Sequence, residues 1–449
     1  MSIISYLHIK NLYNKKKLLS FGVFLLTFCI LSPTVYAFHN PLTKNQPIFE
    51  VLNMVTLTEE QPKDKEIIIA VIDTGIDTNH DFLKPILWEN YMEIAGNNKD
   101  DDKNGYIDDV YGWNFYGNNN SVCSYNEEGK ASLTDNDNHG THISGIIAST
   151  IYTLFGTTVE NYDIPIKIMP IKVTGGEYGT GKSTSLIKAI QYASKMGASI
   201  CNISLNSSSY NDELYTTMLK SNMLFVCSAG NQVQNGINID ENPTYPASFS
   251  LPNLISVTAT DEQGEYAPYS NYGETSVHLA VTGNRIYSSM VGNTYGSFTG
   301  TSMSTPFVTS IAASLMVTYP HLSPYDVKQI LTHSVTEKQS LQGKVSSGGL
   351  LNIKDAFTYA KTYISPEDTT APIINVKRKN STITIQVTDD ISSIRSIFYL
   401  RGNRKLSDFT KEKKGKELSS LTLNLSKGTY TFYVCDFAGN EKIETVTIP

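Results

Sequence analysis

Cysteine is scarce in this sequence, and the few cysteines that occur are widely spaced. Among 449 residues there are five, and Cys29 lies in a segment that we expect to be removed. Cys123, Cys201, Cys227 and Cys435 remain, too few and too scattered for a disulfide framework and without metal-ligand spacing. Cys201 and Cys227 lie in apolar runs typical of strands, which predicts buried, inert thiols.

Positive charge is scarce as well. The formal net charge is −7, with 36 Lys and Arg against 43 Asp and Glu. Since nucleic-acid-binding proteins neutralise phosphates with clustered Lys and Arg, this balance argues against nucleic acid as a partner. Hydrophobic residues make up 40% of the chain. That content is enough for one large core, and the chain length leaves residues for a second module.

The N-terminus carries a pattern typical of export. Residues 15–17 are three lysines, residues 18–31 are apolar, and Ala37 ends a small-residue cleavage pattern. The apolar run is shorter than the ~20 residues that span a bilayer. We therefore expect residues 1–37 to be a cleaved signal peptide, the mature protein to be secreted or held at the extracellular surface, and membrane contact to be confined to export. The alternative is an uncleaved anchor.

From residue 66 onward, strand-like and helix-like patterns alternate, which predicts an α/β fold with a mostly parallel sheet flanked by helices. Pro170 weakens one of the predicted strands. We expect residues 38–65 to be a short N-terminal segment, 66–363 the main domain, 364–371 a linker, and 372–449 a small β-sandwich without helices. Predicted strands cover 66–72, 166–173, 200–205, 224–227, 254–257, 382–387 and 430–434, and predicted helices cover 186–196, 212–222, 302–318 and 324–334.

Four short motifs follow one another along the main domain. Asp73 opens DTG at a strand end, His139 opens HGTHISGI, Asn231 ends SAGN, and Ser302 lies within GTSMSTP. A serine hydroxyl is a weak nucleophile at neutral pH, so it needs a base, and that base needs an orienting acceptor. Ser302, His139 and Asp73 fit these roles, and the Asn231 amide fits a donor to an oxyanion. Each motif alone is typical of a turn or helix cap, but their combination indicates catalysis.

At these motifs the sequence resembles the subtilisin family of serine peptidases, over roughly residues 66–362 and in that family's order Asp, His, Ser. The resemblance implies an endopeptidase that acts on protein or peptide substrates through an acyl-enzyme intermediate. It also implies a cleft that pairs with an extended peptide. Many relatives have glycine where Asn206 stands, so a side chain there would narrow or polarise the first specificity pocket. The cleft residues implied are Gly179 and Gly181 on one wall and Ser204, Leu205 and Asn206 on the other.

An acidic segment predicts a structural calcium site. Oxygen-bearing residues alternate around Gly105, the sixth position of a calcium loop. Tyr111 occupies the twelfth position, where an acid is expected, so Asp109 or a distant group would complete the shell. Related loops occur in the resembled family, and a solvated acidic turn is the alternative. The candidate ligands are Asp100, Asp102, Asn104, Tyr106, Asp108 and Asp109.

Parts of the sequence also suggest other functions. Residues 176–183 match the P-loop pattern GxxxxGK[ST] and would suit a nucleotide hydrolase. Against that function, no strand elsewhere ends in an obvious magnesium-holding Asp, Pro170 interrupts the preceding strand, and an exported protein meets little ATP. An aspartic protease would need a second DTG. An inactive protease scaffold could bind a cell surface through the C-terminal region, which resembles bacterial immunoglobulin-like repeats. Asp240 and Glu241 lie near the expected specificity pocket and favour Lys or Arg before the cleaved bond.

Overall fold

The computed structural model describes residues 52–57, 66–124, 137–175, 180–410 and 415–449. The predicted signal peptide and most of the predicted N-terminal segment lie outside these ranges. All of the described residues belong to a single unit, His39–Pro449. The predicted domain boundaries within that unit stay predictions.

The strands and helices are numbered here in chain order. The strands are β1 (Ile67–Asp73), β2 (Trp113–Asn114), β3 (Ile166–Lys172), β4 (Thr174–Gly175), β5 (Thr180–Gly181), β6 (Ile200–Ile203), β7 (Leu224–Ser228), β8 (Leu254–Thr260), β9 (Leu279–Thr282), β10 (Ile286–Met290), β11 (Thr294–Phe298), β12 (Val335–Glu337), β13 (Gly349–Leu351), β14 (Ile373–Lys379), β15 (Thr382–Thr388), β16 (Ile394–Arg401), β17 (Lys416–Glu417), β18 (Thr422–Asn424), β19 (Gly428–Asp436) and β20 (Glu441–Ile448). The helices are α1 (Asn138–Leu154), α2 (Ser183–Lys195), α3 (Asp212–Leu219), α4 (Thr301–Thr318), α5 (Pro324–His333), α6 (Ile353–Ala360) and α7 (Ser407–Thr410).

A nine-stranded sheet carries the main domain. Its strand order is β12-β13-β9-β8-β7-β6-β1-β3-β2. Every neighbouring pair is parallel except β12 and β13 at one edge. Strands of a parallel sheet are covered by helices on both faces, and accordingly every residue of β1, β6, β7, β8 and β9 is buried. The predicted α/β class is confirmed.

Pro170 lies inside β3 and does not end it. β3 pairs with β1 along its whole length, with Pro170 opposite Val71. On its other side, β2 pairs only with Ile171 and Lys172. The Pro170 carbonyl oxygen faces Gly112, where an added Cβ would lie only 2.0 Å away. β2 therefore begins to pair with β3 only after the proline. The missing N–H of Pro170 breaks no hydrogen bond between these two strands.

Helix α4 is the most deeply buried helix of the main domain. Only Ser302 and Thr318 of its residues are partly exposed. A helix that is apolar or small-sided all round has to be enclosed by other elements, and α4 contacts α1 and the strands β6, β7, β8 and β9. A bilayer-spanning segment is absent from the described helices, each of which is too short or too polar for that role.

The C-terminal residues form two antiparallel sheets, β14-β15-β18 and β17-β16-β19-β20. Side chains along β15 alternate between buried and exposed, and Ile383, Ile385 and Val387 point into the core. This alternation is the period-two pattern of a strand with one buried face. Strands at both predicted positions are present. The prediction that the region has no helix is wrong by one short element, the four-residue α7.

Polar contacts join the C-terminal sheets to helix α3. The Asp212 carboxylate in the first turn of α3 accepts hydrogen bonds from the Ser420 hydroxyl and from the Thr422 N–H, the latter at 2.9 Å. Lys220, the residue after α3, forms an ion pair with Glu417. The C-terminal region is thus attached to the helix that follows the predicted cleft residues Ser204, Leu205 and Asn206.

Candidate active site

Asp73 and His139 meet where a strand ends and a helix begins. Asp73 is the last residue of β1 and is fully buried. His139 is the second residue of α1, and its Nδ1 lies 2.7 Å from Asp73 Oδ1. The His139 side chain keeps 26% of its surface exposed. The buried carboxylate therefore holds one ring nitrogen, while the imidazole still reaches the surface.

Backbone groups fix this carboxylate from several sides. The Thr74 N–H donates to Asp73 Oδ1 at 2.7 Å, and the Val173 N–H donates to the Asp73 carbonyl at 2.9 Å. The Thr74 hydroxyl accepts the N–H of Gly140 at 3.0 Å. A Cβ at Gly140 would lie 2.2 Å from a backbone oxygen of the DTG turn. Glycine at position 140 therefore allows the start of α1 to approach the end of β1.

The pKa of His139 is raised above its ordinary value of 6.5. Burial on its own would lower it, but the charge of Asp73 and the hydrogen bond to that carboxylate outweigh burial. His142, one turn further along α1, behaves in the opposite way. Burial, with a further contribution from His139, lowers the pKa of His142 to about 3. Its Nε2 lies 3.0 Å from the Ile286 carbonyl, so His142 is a neutral ring held by backbone oxygens.

Ser302 lies at the N-terminus of α4, as predicted. Gly300, in front of the helix, has a φ of +156°, a conformation that favours glycine. The Ser302 hydroxyl donates to the carbonyl oxygen of Ser204 at 3.4 Å, and the Ser204 hydroxyl donates to the Ser302 carbonyl at 3.3 Å. The structure thus places Ser302 beside the first residue of the predicted cleft wall, close to the positive end of a helix dipole.

Asn231 reaches the same helix terminus from β7. Its Oδ1 accepts the Thr301 N–H at 2.9 Å. A Cβ built on Gly300 would lie 3.1 Å from Asn231 Nδ2, so the amide nitrogen faces the turn in front of Ser302. Gly230, with a φ of +95°, supplies the turn between the strand and this side chain. With its oxygen engaged, the Asn231 side chain presents its NH₂ group beside the serine.

The predicted cleft wall lies next to these groups. Asn206 donates from Nδ2 to the Ser228 hydroxyl at 2.9 Å, and its side chain lies 3.5 Å from an ideal Cβ on Gly230. The side chain at position 206 therefore occupies space between β7 and the cleft. Leu205 is half-buried and Asn206 is exposed. On the opposite wall, Gly181 is exposed in β5, and Gly179 lies outside the described residues.

Part of the segment that matches a P-loop pattern lies in β5. Thr174 pairs with Gly181 and Gly175 with Thr180, in antiparallel fashion. Residues 176–179, whose backbone N–H groups would face the ligand in a phosphate-binding loop, lie outside the described residues. The exposed position of Gly181 suits a cleft wall.

The acidic loop is arranged differently from the predicted ligand set. Carboxylate oxygens of Glu93, Asp100 and Asp102 all lie within 4.8 Å of one another. The sequence pattern did not include Glu93, which is buried and comes from the chain before the loop. Asp108 accepts the N–H groups of Asn97 and Asn98. Its carboxylate is thus directed at the protein.

Two further predicted ligands are also turned toward protein groups. Asp109 is fully buried and accepts the Tyr192 hydroxyl at 2.5 Å and the Asn104 amide at 2.9 Å. The Asn104 side-chain oxygen accepts the Tyr106 N–H at 2.7 Å. Burial, most of all, raises the pKa values of Glu93 and Asp109, and neighbouring carboxylates add to the shift. The three gathered carboxylates also accept protein N–H groups, with both oxygens of Glu93 engaged, and they would supply part of the oxygen shell that a calcium ion requires.

A parallel α/β sheet with an Asp–His pair and a serine at a helix N-terminus, in the chain order Asp, His, Ser, defines a class, the Ser-His-Asp hydrolases. Comparison with known proteins narrows it. Residues 64–350 match the profile of the Subtilase family, Peptidase_S8. The chain belongs to the subtilase family.

Relatives of known description are moderately similar. The chain is 30% identical over 340 residues to Subtilisin-like protease 1 of Plasmodium falciparum, which covers 70% of this chain and 47% of that protein. It is 30% identical over 256 residues to the Major intracellular serine protease of Bacillus subtilis, covering 56% and 68% respectively. A crystal structure of a cold-adapted subtilisin-like serine proteinase aligns with a TM-score of 0.45 and 22% identity, over 67% of this chain and 92% of that one. The match spans about half the length of the Plasmodium Subtilisin-like protease 1 sequences.

The Asp73–His139 contact yields a prediction about protonation. Asp73→Asn removes the negative charge but keeps the side-chain shape, so burial should then dominate and the pKa of His139 should fall below that of the wild type. An NMR titration of the His139 ring against pH measures this change. His142 is the internal control, since it should not titrate near neutral pH in either protein. An unchanged His139 pKa in Asp73→Asn would contradict the described contact.

Proposed function

We propose that this protein is a serine endopeptidase that hydrolyses peptide bonds through an acyl-enzyme intermediate. The observation that supports it most is the contact of 2.7 Å between His139 Nδ1 and the buried Asp73 carboxylate. With Nδ1 engaged by Asp73, Nε2 is the ring nitrogen left to accept a proton from the Ser302 hydroxyl. Ser302 would attack the substrate carbonyl, and the protonated His139 would then donate to the leaving amine.

The charge that develops on the substrate oxygen requires donors fixed in advance. The NH₂ group of Asn231 would supply one, because its oxygen is held by the Thr301 N–H. The N-terminus of α4 would supply the second through its backbone N–H groups and its dipole. Both donors belong to groups that are already positioned by the protein, so little reorganisation accompanies the reaction. A binding protein on an inactive scaffold has no need of this set, which favours an enzyme.

Active-site labelling tests this proposal. Ser302→Ala should abolish reaction of the purified protein with a fluorophosphonate probe, because the attacking oxygen is gone. Asn231→Ala should keep the nucleophile but lower kcat by about 10²–10³ with a smaller change in KM, the usual cost of removing an oxyanion donor. Labelling on gels and hydrolysis of a chromogenic peptide measure the two effects.

Ser304→Ala is the matched control for Ser302→Ala. Ser304 is buried two residues further along α4, and its hydroxyl donates to the Val281 carbonyl at 2.9 Å. The Ser304 variant should therefore label as the wild type does. A wild type that fails to label, or a Ser302→Ala protein that labels equally well, would show that the chain does not work by this mechanism.

We also propose that the acidic loop binds a structural calcium ion. The gathered carboxylates of Glu93, Asp100 and Asp102 support this proposal. Glu93 would be the distant group that the sequence pattern required to complete the calcium shell. Calcium there would neutralise like charges that lie close together and would hold the loop against the chain before it. Its contribution would be to stability and would not extend to the chemistry at Ser302.

Removal of calcium should therefore lower the melting temperature. A ligand that binds only the native state stabilises it by about 2.7 kcal/mol at a hundredfold excess over its Kd. Glu93→Gln should abolish the response of the melting temperature to added calcium, as followed by scanning calorimetry with and without a chelator. Asp101→Asn is the control, because Asp101 is an acid of the same loop that lies outside the cluster of Glu93, Asp100 and Asp102. If added calcium or a chelator leaves the melting temperature of the wild type unchanged, the proposed calcium site is wrong.

We also propose that the mature protein is exported and that its C-terminal sheets bind a surface. The pattern of residues 1–37 supports export by a cleaved signal peptide. The immunoglobulin-like character of the C-terminal region rests on sequence resemblance and on its two antiparallel sheets.

A preference for Lys or Arg before the cleaved bond would depend on Glu241. Asp240, its neighbour, is engaged: its carboxylate accepts the N–H groups of Thr275 and Ser276 and the Thr275 hydroxyl. Burial would raise the pKa of Asp240, but these hydrogen bonds outweigh it and lower the pKa. Glu241 is exposed and accepts only the Asn238 amide, at 3.2 Å, among its described contacts. Glu241 is therefore the acid of this loop that can meet a basic substrate.

A peptide panel with matched residues at the cleaved position tests the preference. Lys and Arg peptides should be cleaved about two- to fivefold better than Met and Gln peptides in kcat/KM, the range expected of an exposed ion pair. Glu241→Gln should remove that difference, and Glu274→Gln, an exposed acid further along the chain, should retain it. Equal cleavage of all four peptides by the wild type would rule the preference out.

A further inference from the structure

Directly behind Asp73 lies a buried ion pair that the proposed mechanism does not use. Lys172 Nζ lies 2.5 Å from Asp137 Oδ1, and the side chains are 1% and 0% exposed. Removing two charges from water costs free energy that their attraction only roughly offsets, so a buried pair is weak evidence for a role in stability. Its contacts point to a different role.

The cation holds the segment that follows Asp73. Lys172 is the last residue of β3 and stands opposite Asp73 in the parallel register with β1. Its ammonium group also donates to the Thr74 carbonyl oxygen. The next residue, Val173, donates its N–H to the Asp73 carbonyl at 2.9 Å. One strand end thus holds both Asp73 and Thr74 through the backbone.

The anion holds the start of the helix that carries His139. Asp137 is the N-cap residue of α1, yet its side chain makes no capping hydrogen bond. Aspartate at this position usually accepts an N–H from the first helical turn. Here one oxygen binds Lys172 and the other accepts the Ser124 N–H at 2.7 Å. The carboxylate therefore fastens the helix terminus to the neighbouring strand end and to the segment before α1.

The DTG turn is shaped around this carboxylate. Gly75 has a φ of +121°, and a Cβ there would lie 2.6 Å from Asp137 Oδ1 and 2.5 Å from the Val122 carbonyl. No larger residue fits at position 75 without displacing the Asp137 carboxylate. The same turn accepts the Gly140 N–H through Thr74. Strand end, turn and helix start thus form one connected set of contacts.

We infer that Lys172 and Asp137 are positioning residues that fix the contact between Asp73 and His139. The inference rests on the proposed peptidase function for its kinetic consequence and on the geometry alone for its structural one. Neither residue would touch the substrate. Both act by setting where β1 ends relative to α1, and a displacement of about 1 Å at a reacting group can lower a rate by about 10².

The test uses the full chain with Lys172→Met and Asp137→Asn. Lys172→Met keeps the length of the side chain but loses both contacts, so kcat should fall roughly 10- to 100-fold while KM changes little. Asp137→Asn keeps the shape and one acceptor oxygen, so its loss of kcat should be smaller. Lys188→Met, on the exposed face of α2, is the matched control and should keep wild-type kinetics.

A readout independent of turnover is the far-downfield proton NMR signal of the hydrogen bond between His139 Nδ1 and Asp73. It should shift or broaden in Lys172→Met and remain in Lys188→Met. If Lys172→Met keeps both the wild-type kcat and this signal, the inference is wrong. If Lys172→Met does not fold, Asp137→Asn decides: lowered kcat at unchanged KM supports the inference, and wild-type kcat with an unchanged signal overturns it.

The same experiment separates this inference from the proposed function. A wild type that neither labels with fluorophosphonate nor cleaves peptides contradicts the proposed peptidase, and the proton signal then decides the positioning role by itself. A wild type that labels, together with a Lys172→Met protein that labels at the same rate and keeps the signal, contradicts the positioning role alone.

Discussion

The contact between Asp73 and His139 joins the end of β1 to the start of α1, although the two residues are 66 positions apart in the sequence. Because Asp73 is fully buried, its carboxylate cannot move outward to find the imidazole. The end of β1 and the start of α1 must therefore meet at contact distance. Gly140 permits that approach, and the Thr74 hydroxyl then links the two termini. Much of the local architecture follows from this one requirement.

Burial acts differently on groups that the sequence presents as equals. His139 and His142 stand in one motif, three residues apart; the His139 side chain is 26% exposed and His142 is fully buried. The nearby carboxylate raises the pKa of His139, while backbone carbonyls around His142 leave burial in control and lower its pKa to about 3. A histidine poised near neutral pH can exchange protons in a reaction, and one that stays neutral can only hold structure. The environment, and not the residue type, assigns these two roles.

The elements with short-range signals could be predicted from the sequence. Apolar runs located β1, β6, β7 and β8, and turn chemistry at DTG, SAGN and GTS placed the polar groups at strand ends and helix starts. Glu93 could not be found in this way, because it meets Asp100 and Asp102 through a turn of the chain that no loop pattern encodes. Lys172 lies in the apolar run of a predicted strand, and a charge at such a position needs a buried partner. That partner, Asp137, is brought near only by the fold.

The direction in which a side chain points could not be predicted from the sequence either. Asp240 and Glu241 are neighbours with the same charge. Gly273 has no side chain, and this allows Asp240 Oδ1 to lie 2.7 Å from the position that a Cβ of residue 273 would occupy. The Asp240 carboxylate therefore accepts hydrogen bonds from the Thr275 and Ser276 backbone, whereas Glu241 is exposed. Likewise Asp108 and Asp109 belong to the predicted calcium pattern but turn toward protein donors. A spacing rule specifies which oxygens lie near a loop and leaves open which way they face.

One attachment of the C-terminal sheets lies on helix α3, which follows the cleft residues. It includes an ion pair at Lys220 and hydrogen bonds to Asp212. Apolar residues of the C-terminal sheets, among them Ile385 and Leu418, belong to the same cluster of buried hydrophobic residues as the main domain. The cleft residue Asn206 is followed by Ser207, which bridges to Tyr245, and α3 begins five residues later. Helix α3 and this short segment therefore give one route by which the C-terminal region can act on the cleft.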